Sequence, residues 1–347
     1  MSKRVPRPFH LAIVGATGIV GQELFSILHA RGFPVASIKA LASEKSAGEK
    51  ITFGEDEIVV EALTPKSFEG VEVAFFAVSG SLAAEYCPIA AKAGAVCIDK
   101  SSAHRAFSDV PLVVPEVNPK DIAKFKARRI IASPNCTAVP LTQVLKPLHQ
   151  KAGLKRVVVS SYQAVSGAGR EGMEELDKQV RDLFNMRDVE SKVFGNRIAF
   201  NVLPCIPAVN AFEESGYTEE ESKVMAETRR VLDLPELAVT ATCARVPVFN
   251  GHSAAVHMEF ARAISEDEAR EALVNAPGLM VIDDRQKSLY PTAVDASGED
   301  MTLVGRIRRD AAMPNGIALW FASDNLRTGA ALNAVRIAEI LCAEYLA

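Results

Sequence analysis

The stretch His10-Leu11-Ala12-Ile13-Val14-Gly15-Ala16-Thr17-Gly18-Ile19-Val20-Gly21 decides how the chain is read. Residues 10–15 form a nearly unbroken apolar run that ends at a glycine, the pattern of a strand buried on both faces. Over 19–31 the apolar residues Val20, Leu24, Ile27 and Leu28 fall at helical spacing, and Gly32 stops the run. Gly15, Gly18 and Gly21 occupy the joint between them, a GxxGxxG relative of the dinucleotide fingerprint. Glycines there allow a tight turn and a close backbone approach. The helix N-terminus adds N–H donors and the positive end of a dipole for a pyrophosphate. Alone the motif describes only a tight strand-to-helix turn; its place after the first strand of an alternating pattern gives it weight.

The alternation continues. Residues 37–41, 73–78, 95–98 and 129–132 read as buried strands, and 83–93 as an Ala-rich helix stopped by Gly94. Residues 51–61 alternate apolar and polar and read as an antiparallel flap. Strands alternating with helices imply crossover connections and a mainly parallel, doubly wound sheet. After about Asn135 the pattern changes. Residues 155–164 form a long β-branched strand, and 245–248 and 252–260 read as two more. The last sets Ala254, Val256, Met258 and Phe260 against Ser253, Ala255, His257 and Glu259, the alternation of a half-buried antiparallel strand. Ser265 and Glu268 form a capping box for a helix over 265–274. A last helix over 329–346, apolar at Leu332, Val335, Ala338 and Ile340, is placed to return to the first domain. The expected fold is α/β: a doubly wound sheet over 1–134 completed by helix 329–347, plus a mixed α+β domain over 135–328.

Composition narrows the class. A length of 347 residues suggests two domains, and 48% hydrophobic with 24% charged residues is ordinary globular usage. With 39 Lys+Arg against 43 Asp+Glu, nothing favours nucleic acid or an anionic membrane as partner. No apolar run approaches the roughly 20 residues of a spanning helix. The basic N-terminus, residues 1–10, lacks the apolar stretch of a secretory signal. The six cysteines are scattered without a CxxC pair, which suits reduced thiols in a cytoplasmic protein and gives no metal site. A cytoplasmic enzyme is the simplest expectation.

Four further segments carry chemistry. The second strand runs into Ser43-Glu44-Lys45-Ser46, where NAD-binding folds usually place a terminal acid. Two hydroxyls and a cation suit a 2′-phosphate; Glu44 argues the other way unless it points out, and a solvated polar turn would say nothing. Cys136 in Ser133-Pro134-Asn135-Cys136-Thr137 precedes a helical pattern through Val144, Leu145 and Leu148, with Pro140 in its first turn. A helix N-terminus raises the thiolate fraction, although a cysteine is ordinarily a small buried hydrophobe. Gln163 ends the long strand and leads into the Gly-rich loop 164–170. Arg245-Val246-Pro247-Val248 and Gly251-His252-Ser253 flank a turn at Asn250-Gly251. An accessible histidine there suits acid/base work, and an arginine suits a carboxylate clamp; a hairpin-capping histidine and a surface salt bridge are the plainer readings.

In family order, GATGIVG (15–21), SPNC (133–136), SYQAVSGAGREG (161–172), RVPVFNGHS (245–253) and SDNLRTGAALNAV (323–335) together resemble the aspartate-semialdehyde dehydrogenases. The resemblance spans residues 11 to about 340. It implies a Rossmann-type NADP-binding domain closed by the C-terminal helix, and a mixed domain for catalysis and dimerisation. The implied assembly is a homodimer or a dimer of dimers. The implied reaction converts L-4-aspartyl phosphate and NADPH to aspartate 4-semialdehyde, NADP and phosphate, in lysine, threonine and methionine biosynthesis. By the same resemblance Cys136 is the nucleophile, Gln163 orients the acyl group and His252 is the acid/base. Arg245 and Asn135 bind substrate, Glu220 lies near its amino group within the run Glu219 to Glu221, and Arg105 and Lys223 hold phosphate. Gly15, Thr17, Gly18, Ile19, Val20, Ser43, Lys45, Ser46, Ser166, Gly167 and Asn325 are the implied cofactor contacts, with Lys45 where relatives frequently carry Arg.

The set is chemically coherent: a thiolate expels phosphate from an acyl phosphate, and hydride reduces the resulting thioester. Another acyl phosphate, such as N-acetylglutamyl phosphate, would use the same fold and thiol. A free amino group calls for an acidic partner, which the Glu219 to Glu221 run offers. A non-catalytic NADP-binding redox regulator would need a resolving thiol, and would have no use for Gln163, Arg245 and His252.

Overall fold

The computed structural model describes residues 7–346; most of the basic N-terminal stretch and Ala347 lie outside the described residues. The chain divides into two units, one running to Asn135 and resuming at Ala330, the other spanning Cys136–Gly329.

In the first unit β1 (Phe9–Val14) leads through α1 (Ile19–Ala30) to β2 (Val35–Ala42). Then come β3 (Lys50–Phe53), β4 (Asp56–Ala62), β5 (Val73–Phe76), α2 (Gly80–Lys92), β6 (Val96–Asp99) and β7 (Ile130–Ala132). The seven strands lie in the order β3-β4-β2-β1-β5-β6-β7, all neighbours parallel except the β3–β4 pair. Residues 51–61 are thus a hairpin whose second strand extends the main sheet, because β4 pairs with β2. The helix expected over 83–93 begins at Gly80, where Leu82 N–H donates to the Ser79 cap.

From β1 the chain winds outward through β2 to β4 on one side and then crosses to β5 on the other side of β1, where the winding reverses. The carboxyl end of β1 is therefore the switch point where doubly wound sheets bind ligands. Gly15 sits there with φ +86°, and a Cβ on it would lie 2.3 Å from the Ala77 carbonyl oxygen. Only glycine fits.

The sheet core is closed by the C-terminal helix. Leu332, Val335, Ile337, Ala338 and Leu341 are buried in one cluster with Leu24, Phe25 and Leu28 of α1 and Leu11 and Ile13 of β1. Arg31 fixes the helix further by donating two hydrogen bonds to Glu339, at 2.7 and 2.9 Å. The α-helix spans Leu332–Glu344, three residues later than its expected start, because Arg327–Ala331 wind as a π-turn.

The second unit runs α3 (Ala138–Ala152), β8 (Leu154–Gln163), α4 (Gly169–Phe184), α5 (Glu219–Leu232), β9 (Ala238–Arg245), β10 (His252–Phe260), α6 (Glu266–Val274), β11 (Leu279–Val281), α7 (Ala293–Ala296), β12 (Thr302–Arg309) and β13 (Gly316–Ser323). The C-terminal helix of the first unit is α8. The six-stranded sheet has the order β11-β12-β13-β10-β8-β9, with parallel outer pairs and antiparallel inner ones. Strand β10 alternates as expected from Ala254 onward: Ala254, Val256, Met258 and Phe260 are buried, while Ala255, His257 and Glu259 are half-exposed; Ser253, expected on the exposed face, is buried. Ser265 and Glu268 form the expected capping box.

Two expectations fail. Arg245 ends a strand rather than beginning one, since Pro247 has no N–H for a ladder. Nor do residues 245 and 252 flank a hairpin, because β8 lies between β9 and β10. Among the described residues no helix is long and apolar enough to cross a membrane.

Leu341 is wholly buried, and its truncation leaves a cavity between α8 and the sheet. Leu341→Ala is expected to lose about 2–5 kcal/mol of stability. Urea unfolding reads this as a lower midpoint at unchanged slope.

Candidate active site

Strand direction brings the second unit's chemistry to one end of its sheet. β8 and β9 are parallel and end together, with Gln163 paired to Arg245 in register. β10 runs antiparallel to β8, so it begins where they end, and His252 lies one residue beyond the Ser253–Tyr162 pair. Cys136 precedes α3 by two residues, with Thr137 as N-cap.

Cys136 Sγ lies 3.4 Å from His252 Nε2. The histidine was expected to be accessible, yet it is only 1% exposed. It is enclosed by the thiol on one side and the 164–167 loop on the other: Ala164 N–H donates to its Nδ1 at 3.0 Å. Arg245, 7% exposed, donates from Nη1 to the Ala164 carbonyl at 2.8 Å. Burial draws the guanidinium below its ordinary pKa, and the charge of Glu220 opposes that shift. Gln163 Nε2 donates to Glu220 at 2.9 Å, placing a carboxylate that is only 8% exposed beside the site.

The three consecutive glutamates separate cleanly. Glu221 caps α5 by accepting from Thr218 N–H at 2.8 Å, and its other oxygen accepts from Cys243 N–H at 2.9 Å. Glu219 is exposed and pairs with Lys223 one turn on. Glu220 is the one bonded to Gln163.

Ser166 and Asn325 are buried and bonded to each other, Asn325 Nδ2 donating to Ser166 Oγ at 2.9 Å. Asn325 Oδ1 accepts from Gly251 N–H at 3.0 Å, and Asn250 Nδ2 donates to Asp324 at 2.8 Å. This network fixes the turn immediately before His252. Asp324 was not singled out in the sequence, and Asn250 only as a turn residue, although both stand inside the quoted motifs.

In the first unit Gly15 to Val20 join β1 to α1 at the switch point, and Gly18 caps α1 with no side-chain hydrogen bond and no acid in the first turn. Gly15 and Ala16 N–H donate to the Leu41 carbonyl and Gly18 N–H to that of Gly15, which fixes the turn and points the positive end of α1 out of it, the geometry that suits a phosphate. Ser43, Glu44 and Lys45 are exposed and Ser46 half-exposed in a turn at the end of β2, next to β1. These residues fit a dinucleotide. Arg105 donates from Nε to Ser133 O at 2.9 Å and from Nη2 to Lys100 O at 2.7 Å, and Asn135 is buried. Cys87, Asp99 and His104 bring potential ligand atoms together, but the Asp99 oxygens already accept from Ser101 and from His104 at 2.7–3.0 Å.

Residues 10–125 match the family model described as semialdehyde dehydrogenase, NAD binding domain, and residues 145–328 that of the semialdehyde dehydrogenase dimerisation domain. The chain belongs to the semialdehyde dehydrogenase family. It is 48% identical over 340 residues to an aspartate-semialdehyde dehydrogenase of Aquifex aeolicus, covering 97% of this chain and 99% of that one. The structure of aspartate semialdehyde dehydrogenase II from Vibrio cholerae, complexed with ASA, superposes with a TM-score of 0.95 at 42% identity, covering 98% and 99% of the two chains. The Candida albicans enzyme with NADP superposes at 0.77 and 26% identity, covering 98% and 100%.

Within this family member the thiols are unequal. Burial pushes Cys243 and Cys342 up to about 12 and Cys87 far above the ordinary range, and it raises Cys205. Cys136 is only partly buried, at the mouth of a helix and against an imidazole. Thiolate chemistry concentrates there.

Gly167 lacks a side chain for want of space. A Cβ on it would stand 2.6 Å from Arg245 Nη1 and 3.3–3.4 Å from the His252 ring. Gly167→Ala is therefore expected to fold with about 1–3 kcal/mol lost. By displacing both basic groups it should lower kcat/KM for semialdehyde about 100-fold. Steady-state kinetics on the purified variant checks this, and an unchanged kcat/KM contradicts it.

Proposed function

We propose that this chain catalyses the reversible, NADPH-dependent reductive dephosphorylation of L-4-aspartyl phosphate to L-aspartate 4-semialdehyde through a thioester on Cys136. The observation that carries this reading is the grouping of a partly buried Cys136 with the buried His252, Arg245, Gln163 and Glu220 at one end of the second sheet, in a member of this family. The Cys136 thiolate adds to the acyl carbon, the carbon–oxygen bond to phosphate breaks, and a thioester remains. When bound, the cofactor supplies the hydride that reduces this thioester. The C–S bond then breaks, releasing aldehyde and thiolate, and the one proton consumed overall is carried away on phosphate. His252 supports the sulfur and the acyl oxygen, and Gln163 orients the acyl group.

Arg245 supplies a forked donor for the substrate α-carboxylate. Glu220 supplies a charge for the α-ammonium. A buried anion beside a buried cation favours a free amino acid over an N-acetylated one, whose nitrogen carries no charge. Arg105 and Lys223 are assigned to phosphate, and Asn135 to substrate. Gly15, Thr17, Gly18, Ile19 and Val20 would hold the pyrophosphate, Ser43, Lys45 and Ser46 the 2′-phosphate, and Ser166, Gly167 and Asn325 further parts of the cofactor. The first unit is thus assigned to the cofactor, and the second to catalysis and dimerisation. We assign a homodimer, or a dimer of dimers, in the cytoplasm; six unpaired cysteines, Cys136 among them, suit that compartment. The product aldehyde would feed lysine, threonine and methionine synthesis.

Cys136→Ser tests the reaction. It should retain cofactor binding and lose turnover by several orders of magnitude, because an alcohol without a dedicated base is a poor nucleophile. In the wild type a limiting thiol reagent should label Cys136 first. Label on another cysteine with activity retained, or turnover of N-acetylglutamyl phosphate in place of aspartyl phosphate, contradicts the reading.

Lys45→Ala tests the cofactor assignment. Only NADPH carries the extra phosphate, so its KM should rise by about tenfold, in line with the loss of one charge-assisted contact, while the KM for NADH changes little. Equal losses for the two cofactors would remove Lys45 from the 2′-phosphate.

A further inference from the structure

The proposed reaction leaves one wholly buried acid of the first unit without a task. Asp99 is the last residue of β6, in register with Phe76 of β5 and Ala132 of β7, and it is 0% exposed. A buried carboxylate is costly unless donors surround it. Ser101 N–H reaches its Oδ1 at 2.8 Å, and Ser101 Oγ and His104 Nδ1 reach its Oδ2 at 3.0 and 2.7 Å. A carboxylate only accepts, so the proton in the last of these bonds sits on Nδ1. Ala103 N–H donates to Ser101 Oγ at 3.1 Å, which leaves the hydroxyl proton for Asp99. His104 is itself buried and tilts against the Phe107 ring. Cys87 stands close by, but burial holds its thiol far above the ordinary range and therefore protonated.

These bonds bring residue 104 back to the carboxyl end of β6, the end of the sheet where doubly wound folds take ligands. Arg105 follows at once. Its guanidinium lies between two backbone carbonyls, donating from Nε to Ser133 at 2.9 Å and from Nη2 to Lys100 at 2.7 Å. Both acceptors depend on Asp99. Lys100 is its chain neighbour, and Ser133 N–H donates to the Asp99 carbonyl at 2.8 Å. One residue thus fixes the cradle through its backbone and the arrival of the arginine through its carboxylate. A long, flexible side chain aims accurately only when the segment that carries it is fixed. A buried network of this kind selects one conformation when its members are satisfied together.

We propose that His104 is a positioning residue for the phosphate site: its bond to Asp99 closes the 99–104 loop and so sets the direction of the Arg105 guanidinium. His104 acts through Arg105 and takes no part in the chemistry itself. The inference rests on the reading of Arg105 as a phosphate ligand and adds to it the device that aims the ligand.

The test is steady-state kinetics of the full-length protein in the phosphorylating direction, with semialdehyde, inorganic phosphate and NADP varied in turn. His104→Phe keeps a flat ring against Phe107 and offers Asp99 no donor. His104→Asn offers an amide N–H close to where Nδ1 stands. His104→Phe should raise the phosphate KM about tenfold, the scale of weakening one charge-assisted contact, while the KM values for semialdehyde and NADP stay within about twofold. His104→Asn should recover most of that loss. Ser101→Ala removes a second donor to the same carboxylate with little change of volume, and should raise the phosphate KM about threefold; it carries the test if His104→Phe does not fold. An unchanged phosphate KM in folded His104→Phe or Ser101→Ala, equal rises in all three KM values, or no recovery in His104→Asn would overturn the inference. Arg105→Ala separates the two readings. If it leaves the phosphate KM unchanged, Arg105 is not a phosphate ligand and both fall. If it raises the phosphate KM while His104→Phe does not, only the positioning role falls.

Discussion

The peptide groups of Ala164 hold the two basic side chains of the site: the N–H donates to His252 and the carbonyl accepts from Arg245. Both side chains are buried, and a buried polar group without a partner is expensive. The arrangement needs residue 164 directly after the end of β8, with β9 and β10 on either side of it. The sheet order β9-β8-β10 supplies that. A small side chain at Ala164 and none at Gly167 let the loop lie against the imidazole and guanidinium. Most of what the site can do follows from a backbone that arrives between two strands and turns away at once.

Local patterns carried the sequence reading far. The strand–glycine–helix joint at 10–21, the capping box at Ser265 and the alternation in β10 are decided within a few residues, and the structure has all three. The return of α8 was legible from Leu332, Val335 and Ala338, whose spacing leaves one apolar face to cover. The errors came where neighbours in space are distant in sequence. Arg245-Val246-Pro247-Val248 has strand-like composition, yet the ladder stops at Arg245. The burial of His252 depends on Cys136, 116 residues away. No spacing rule reports that β8 separates β9 from β10. One signal was present and unused: Thr218-Glu219-Glu220-Glu221 is a capping box. It commits Glu221 to the helix end and leaves Glu220 for the site.

Ser166 and Asn325 show how a motif residue acquires more than one duty. The resemblance makes them cofactor contacts. In the structure their side chains hold each other and the amide of Gly251, and Asn250 ties the same turn to Asp324. A buried network of this kind is favourable only when its members are satisfied together, so it specifies one conformation of the turn. That conformation sets where His252 begins β10.

The paired charges at Arg245 and Glu220 complete the argument. An isolated buried charge is strongly penalised, and a guanidinium stays charged even so. Arg245 meets that penalty with the Ala164 carbonyl and the field of Glu220, and Glu220 is itself held by the Gln163 amide. A guanidinium has five donor hydrogens and a carboxylate about four acceptor positions. An amino acid carrying both a carboxylate and an ammonium brings one partner for each. Its binding adds charge-assisted bonds at positions where dehydration has already been borne in folding. If Arg245 and Glu220 take the roles proposed above, the acyl carbon would be set by two anchors at the far end of the same molecule. Under that reading, holding the acyl carbon against the Cys136 sulfur by two distant anchors makes positioning a large share of the barrier reduction.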